Sequence, residues 1–192
     1  AIHTENIFHQ EKEMGKKIVV ISSSPRVGGN SDLLCDQFVK GAQEAGHDVE
    51  KINLATLKIN PCRSCYACRD SQRCVQNDDT RPVINAMLNA DIIVLASPVY
   101  FYSISAQLKA LFDRSIVIFP HLTNKKFYYI LTMADDNVEK FNGPLTALRG
   151  FLECYEGSEE AGMVCCAGVY DFAEVRDKQE MQQAYDMGKK IS

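Results

Sequence analysis

The chain alternates short apolar runs with amphipathic stretches. From Lys17, KIVVIS is a β-branched apolar run that ends in the turn-rich SSPRVGGN, so a strand is expected there. Asn30 or Ser31 is placed to cap the helix that follows. That helix runs to about Gly46 and carries Leu34, Phe38, Ala42 and Ala45 near helical spacing. HDVEKINL, from His47, alternates like a second strand. A long irregular stretch then covers about Ala55 to Asp79, and RPVINAMLNA is a short helix opened by Arg81-Pro82. DIIVLASPVY is a continuous apolar strand, the kind that is buried on both faces of a parallel sheet.

The second half repeats the alternation. A helix is expected over about Ile104 to Ser115, with Ile104, Leu108, Leu111 and Phe112 on one side. KKFYYILTM reads as the fourth strand and is followed by a helix around Val138 to Tyr155. GMVCCAGVY reads as the fifth strand. EVRDKQEMQQAYDMGKKI is a closing helix with Met181, Ala184 and Ile191 facing inward. Strands alternating with helices mean βαβ units and a parallel sheet, an α/β fold. Neither a repeat nor a linker interrupts the pattern, so residues 14–192 form one domain. Residues 1–13 are polar and aperiodic and read as a flexible N-terminal extension. In such sheets ligands bind beyond the carboxyl ends of the strands.

Composition narrows the class. A chain of 192 residues suits one well-cored domain, and 46% hydrophobic with 24% charged residues is ordinary for a soluble globular protein. A net charge of −4 argues against non-specific nucleic-acid binding, which needs a basic face. No apolar run is long enough to span a membrane, and the polar start lacks the basic and apolar regions of a signal peptide. A cytoplasmic protein with no membrane partner is expected, and its thiols stay reduced there.

The loop after the first strand, SSSPRVGGNS, holds the first candidate chemistry. Gly28 and Gly29 permit backbone conformations that other residues avoid. Ser22, Ser23, Ser24, Asn30 and Ser31 supply hydroxyl and amide groups, the helix amino end adds unpaired N–H groups, and Arg26 adds a forked cation. Together they read as a phosphate cradle. It is neither a Walker A loop nor a GxGxxG fingerprint. The plainer reading is a polar turn with an incidental arginine.

These residues resemble a known family. SSPRVGGNS is similar to the phosphate loop of the NADPH-dependent FMN reductase-like proteins, which have a flavodoxin-like fold. ASPVYFYSISAQLKALFDR, after the third strand, resembles that family's flavin-ring segment. The resemblance implies a three-layer sandwich with a five-stranded parallel sheet of order 2-1-3-4-5 and helices on both faces. It implies phosphate contacts from Ser24, Arg26, Asn30 and Ser31, with Ser22 beside them. Pro98, Val99, Tyr100, Phe101, Tyr102 and Ser103 would border the ring. A planar apolar ring wants such walls, although a turn covering the core would use the same aromatic residues. One loop departs from the family: TMADDN carries Asp135 and Asp136 where glycine is common.

PCRSCYACRDSQRC holds four of the chain's eight cysteines, Cys62, Cys65, Cys68 and Cys74, within the thirteen residues from Cys62 to Cys74. With Asp78 and Asp79 following, it resembles the iron–sulfur flavoprotein branch of the same family. Spacings of two, two and five let one short loop wrap a cuboidal 4Fe–4S cluster, which four thiolates usually ligate. Zinc, free thiols and disulfides are the other readings, although structural zinc usually joins two separated knuckles. Arg63, Arg69 and Arg73 interleave with the cysteines as cationic neighbours or simply as solvated loop. Cys35, Cys154, Cys165 and Cys166 read as reduced core residues. No histidine shows a catalytic partner.

The resulting expectation is an FMN-dependent oxidoreductase that passes electrons from NAD(P)H through the flavin to a small acceptor such as a quinone or free flavin. No side chain is nominated as catalytic, because the flavin carries the chemistry. The alternative is an iron–sulfur electron carrier working with a ferredoxin-like protein. A phosphate-ligand binding module is the non-redox possibility. The family resemblance further implies a homodimer or homotetramer, with LKALFDR as a partly apolar helix for the interface.

Overall fold

The structure is a computed structural model that describes residues 15–192. The expected N-terminal extension, residues 1–13, lies outside the described residues. Strand β1 is Lys17–Ser22, followed by α1 (Asn30–Glu44) and β2 (Asp48–Asn53). Next come a short α2 (Cys68–Ser71), α3 (Thr80–Asn89) and β3 (Ile92–Pro98). The chain continues through α4 (Ala106–Arg114), β4 (Lys126–Thr132) and α5 (Asn142–Leu152), and ends with β5 (Glu159–Cys166) and α6 (Glu180–Lys189). The five strands form one parallel sheet in the order β2-β1-β3-β4-β5. This is the flavodoxin-like order.

Two cores sandwich the sheet, and the strand sequences explain why. Alternate side chains of a strand point to opposite faces. Val19 and Ile21 of β1, with Ile93 and Leu95 of β3, join Val83, Met87, Leu108 and Leu148 in one core. Ile18 and Val20, with Val94 and Ala96, join Leu34, Phe38, Ala42 and Ala184 in the other. A strand serving two cores must be apolar at every position, which is why β1 and β3 read as unbroken apolar runs.

Several boundaries depart from the sequence expectation. Gly29, not Asn30 or Ser31, is the N-cap of α1, and no side chain caps it. Both of those side chains are engaged across the fold instead. Ala45 is exposed rather than on the buried face. The closing helix is two pieces, a 3₁₀ turn over Glu174–Asp177 and then α6. Another 3₁₀ turn, Val138–Phe141, precedes α5. Cys154 is exposed beyond the end of α5 and is no core residue, whereas Cys35 and Cys166 are buried. The apolar side of α4, with Leu108 and Leu111 fully buried, belongs to the core. The exposed apolar residues of that region are Ile116 and Phe119, just past the helix. Among the described residues no helix is long and apolar enough to cross a membrane.

Candidate functional site

The carboxyl ends of β1, β3 and β4 open into a cavity of about 300 Å³. Its polar end is built on the loop between β1 and α1. Ser24, Arg26, Asn30 and Ser31 line it. Three of these are buried, with Ser24 at 3%, Asn30 at 5% and Ser31 at 1% exposure, unusual for side chains with no apolar role. Gly28 sits at φ 74°, a left-handed conformation that lets the loop fold back over the helix start. The first N–H groups of α1 lack intrahelical acceptors and carry the positive end of the helix dipole.

A second layer of charge holds this loop. Asp32 Oδ2 accepts the Gly28 N–H at 2.8 Å, while Asp32 Oδ1 meets Lys51 Nζ at 2.8 Å and accepts from Asn53 Nδ2 at 3.2 Å. Burial raises the Asp32 carboxyl, but the Lys51 ammonium and the Gly28 N–H outweigh it and hold the group below its usual value. The cradle is therefore braced from β2 before any ligand arrives.

Pro98, Val99, Tyr100 and Phe101 form the apolar end of the cavity. Tyr100 and Ser103 exchange both backbone hydrogen bonds at 3.0 Å, which closes a two-residue turn with Phe101 and Tyr102 at its tip. Both tip residues are left-handed, with φ 48° and 56°, a geometry that such turns usually give to Asn-Gly. Phe101 is fully exposed and Tyr100 and Tyr102 are about half so, which excludes a turn that merely covers the core. Replacing Phe101-Tyr102 by Asn-Gly is expected to stabilise the unliganded chain by about 1–3 kcal/mol, the usual size of such backbone strain. Flavin affinity should fall at the same time. Chemical denaturation and flavin titration of the one variant check both directions.

Not every residue expected at the site lies on the cavity. Ser22 is fully buried off it, and its Oγ has no hydrogen-bond partner. Ser23 Oγ donates to Ala96 O at 2.7 Å and ties β1 to β3. Tyr102 turns away: its hydroxyl donates to Asp135 Oδ2 at 2.9 Å, and Lys140 Nζ stands 4.9 Å from its ring centre. Ser103 serves the turn through its backbone. Asp135 is held below its usual carboxylate range by the Asn137 N–H and then by the Tyr102 hydroxyl. The acidic pair of the TMADDN loop is thus not part of the lining, where Thr132, Met133 and Ala134 stand instead.

Gly143, in the first turn of α5, lies against the backbone carbonyl of Tyr102, and a Cβ there would collide with it. Gly143→Ala is expected to displace the Tyr100–Ser103 turn and to destabilise the chain by about 1–3 kcal/mol, the ordinary penalty for overpacking. Chemical denaturation of the variant measures this.

Val169 and Tyr170 complete the wall and are the residues that local motif reading missed. The signal available was positional: AGVYD follows the fifth strand, at the same carboxyl edge of the sheet.

The cysteine loop stands apart from this cavity. Its neck is closed by Asp79, which exchanges bonds with the Lys58 backbone, and by Asp78, which takes the Asn60 N–H and the Arg114 guanidinium. The irregular stretch holds a 3₁₀ turn at Leu54–Thr56 and the short α2. Cys62, Cys65, Cys68 and Cys74 all line one cleft. Among the described residues, however, no group of three or more His, Cys, Asp or Glu side chains is placed to hold a metal ion. As they stand, the four thiols share one cleft but form no single-ion site. Arg69 stacks 4.2 Å from the Tyr66 ring centre, and Arg63, Arg69 and Arg73 are exposed. A groove of about 740 Å³ runs between this loop and the residues after α4, with Cys62, Cys68, Cys154, Phe119 and Tyr155 on its walls.

The first cavity suits a phosphorylated planar ring: buried hydroxyls, a helix start and a guanidinium at one end, aromatic and aliphatic walls at the other. An iron–sulfur flavoprotein of Methanocaldococcus jannaschii is 43% identical over 99 residues, 52% of this chain and 51% of that protein. The chain spans about half the length of the iron–sulfur flavoproteins it matches. YwqN of Bacillus subtilis is 28% identical over 176 residues, 88% of this chain and 94% of that one. The structure of the Trp repressor binding protein from Bacillus subtilis superposes with a TM-score of 0.65 at 25% identity, covering 89% of this chain and 98% of the other. The family described as NADPH-dependent FMN reductase matches residues 16–138, which takes in the phosphate loop, the cysteine loop and the aromatic turn, and the chain belongs to that family.

Proposed function

We propose that the chain binds FMN in the 300 Å³ cavity and serves as an oxidoreductase that takes electrons from NAD(P)H and delivers them to a small acceptor such as a quinone or free flavin. The observation that carries this reading is the two-ended lining of that cavity at the carboxyl edge of the sheet. Bound there, FMN would supply the redox chemistry between NAD(P)H and the acceptor. The chain's own part is positional. Arg26 and the opening N–H groups of α1 balance the phosphate charge, while Val99, Tyr100 and Phe101 hold one edge of the ring and leave room for nicotinamide, then acceptor. The site is expected to work in a reducing compartment such as the cytoplasm. The exposed Ile116 and Phe119 are where a second copy, in a homodimer or homotetramer, would pack.

A second reading is electron transfer to a ferredoxin-like partner through a 4Fe–4S cluster. It draws support from the common cleft of Cys62, Cys65, Cys68 and Cys74, and from the names of the flavoproteins above. Replacing all four cysteines by serine separates the readings. NADPH oxidation with a small acceptor should change by less than about twofold, within the usual small effect of surface substitutions. Loss of that activity, together with iron and acid-labile sulfide in the anaerobically purified parent, would favour the carrier.

A further inference from the structure

We propose that Asn30 is a positioning residue that holds the segment after β5 as a wall of the flavin cavity, rather than a phosphate ligand. This inference rests on the reading of that cavity as an FMN site.

Asn30 follows the phosphate loop directly and is only 5% exposed. Both ends of its amide are already used. Nδ2 donates to Asp171 O at 3.0 Å, and Oδ1 accepts the Val175 N–H at 3.1 Å. A buried amide with both partners in place gains little from turning to a phosphate, and would strand a buried backbone N–H if it did. The segment it grips is itself built to be held. Glu174 Oε2 accepts the N–H of Tyr170 at 2.7 Å and of Asp171 at 3.0 Å, folding the chain back on itself. Gly168 and Ala173 take left-handed φ of 64° and 62° at either end of the fold. Val175, fully buried, plugs the segment into the core beside Leu34 and Phe38.

The product of this anchoring is the placement of Val169 and Tyr170 on the cavity. Tyr170 is 75% exposed on the rim of the cavity that Phe101 also lines. Arg26 Nη1 reaches Tyr170 O at 3.4 Å, a long and exposed contact that a phosphate oxygen would outcompete. The two residues therefore divide the work. Arg26 faces the phosphate, and Asn30 faces the ring wall. This wall lies outside residues 16–138, the part of the chain that matches the family.

Titration with FMN and with riboflavin, which has the ring but no phosphate, tests the division. Flavin fluorescence reads affinity without turnover. Asn30→Ala is expected to weaken both flavins by the same factor, about tenfold, as for a lost buried hydrogen-bonded anchor. Glu174→Gln, a change at an exposed side chain, should weaken both flavins in the same ratio, as should Tyr170→Ala. Arg26→Ala should weaken FMN and leave riboflavin unchanged. A loss confined to FMN in Asn30→Ala, with Glu174→Gln and Tyr170→Ala unaffected, overturns the inference and leaves the FMN site standing. Failure of the parent chain to bind either flavin overturns the FMN site itself.

Discussion

Arg114→Ala is expected to destabilise the chain by about 3–5 kcal/mol, the usual cost of removing one partner from a buried ion pair. The Arg114 and Asp78 side chains are 1% and 0% exposed. Arg114 Nη1 donates to Asp78 Oδ2 at 2.7 Å and Nη2 to Oδ1 at 3.1 Å, a fork on a carboxylate, and Nη1 also reaches Asn60 O at 2.8 Å. Asp78 in turn accepts from the Asn60 N–H at 3.0 Å and from the Thr80 hydroxyl at 2.7 Å. Without the guanidinium the carboxylate is buried unpaired, and the neck of the cysteine loop loses its clasp to α4. Arg114→Lys should recover little, since an ammonium cannot reproduce the fork. The midpoint of chemical denaturation measures both variants.

The same pair sets an acid limit. Burial raises the Asp78 carboxyl, but Arg114, the Thr80 hydroxyl and the Asn60 and Thr80 N–H groups outweigh it and hold the group far below its usual range. A depressed folded value means that the stabilisation is complete above the unfolded value of about 4 and is lost as pH falls below it. Denaturation midpoints should fall steeply with acid in the parent and more shallowly in Asp78→Asn.

Arg26→Ala is expected to weaken FMN by about ten- to a hundredfold, the range for a hydrogen bond between charged groups. Arg26 is the one cation among the residues named on the cavity, and its side chain is exposed at the rim. Because the guanidinium is exposed, added salt should erode the difference between variant and parent. Equilibrium titrations at low and high ionic strength provide the check.

The fold was legible because its strongest signals are local. IVVIS of β1 and IIVLAS of β3 are buried on both faces, and no amphipathic helix is apolar at every position. The start of β5 is hidden in the sequence because its first two residues are glutamates and Glu159 to Gly162 lie on an edge strand, partly in solvent. The split before α6 was hidden because its cause is remote, the Asn30 amide fixing Val175 from the far end of the chain. The site divides in the same way. The phosphate loop and the Pro98–Phe101 wall are contiguous segments with their own turn chemistry. Val169 and Tyr170 reach the cavity only through contacts with α1, which no window of sequence contains. Ser22 and Tyr102 show the converse. They share the motif segments, yet the fold turns one into the interior and the other toward Asp135.

The measurement that bears most directly on the FMN cavity is flavin stoichiometry in the purified chain, read by absorption and repeated after reconstitution with excess FMN. One FMN per chain, bleached by NAD(P)H under anaerobic conditions, is the result expected. A chain that holds no flavin even after reconstitution would contradict the account.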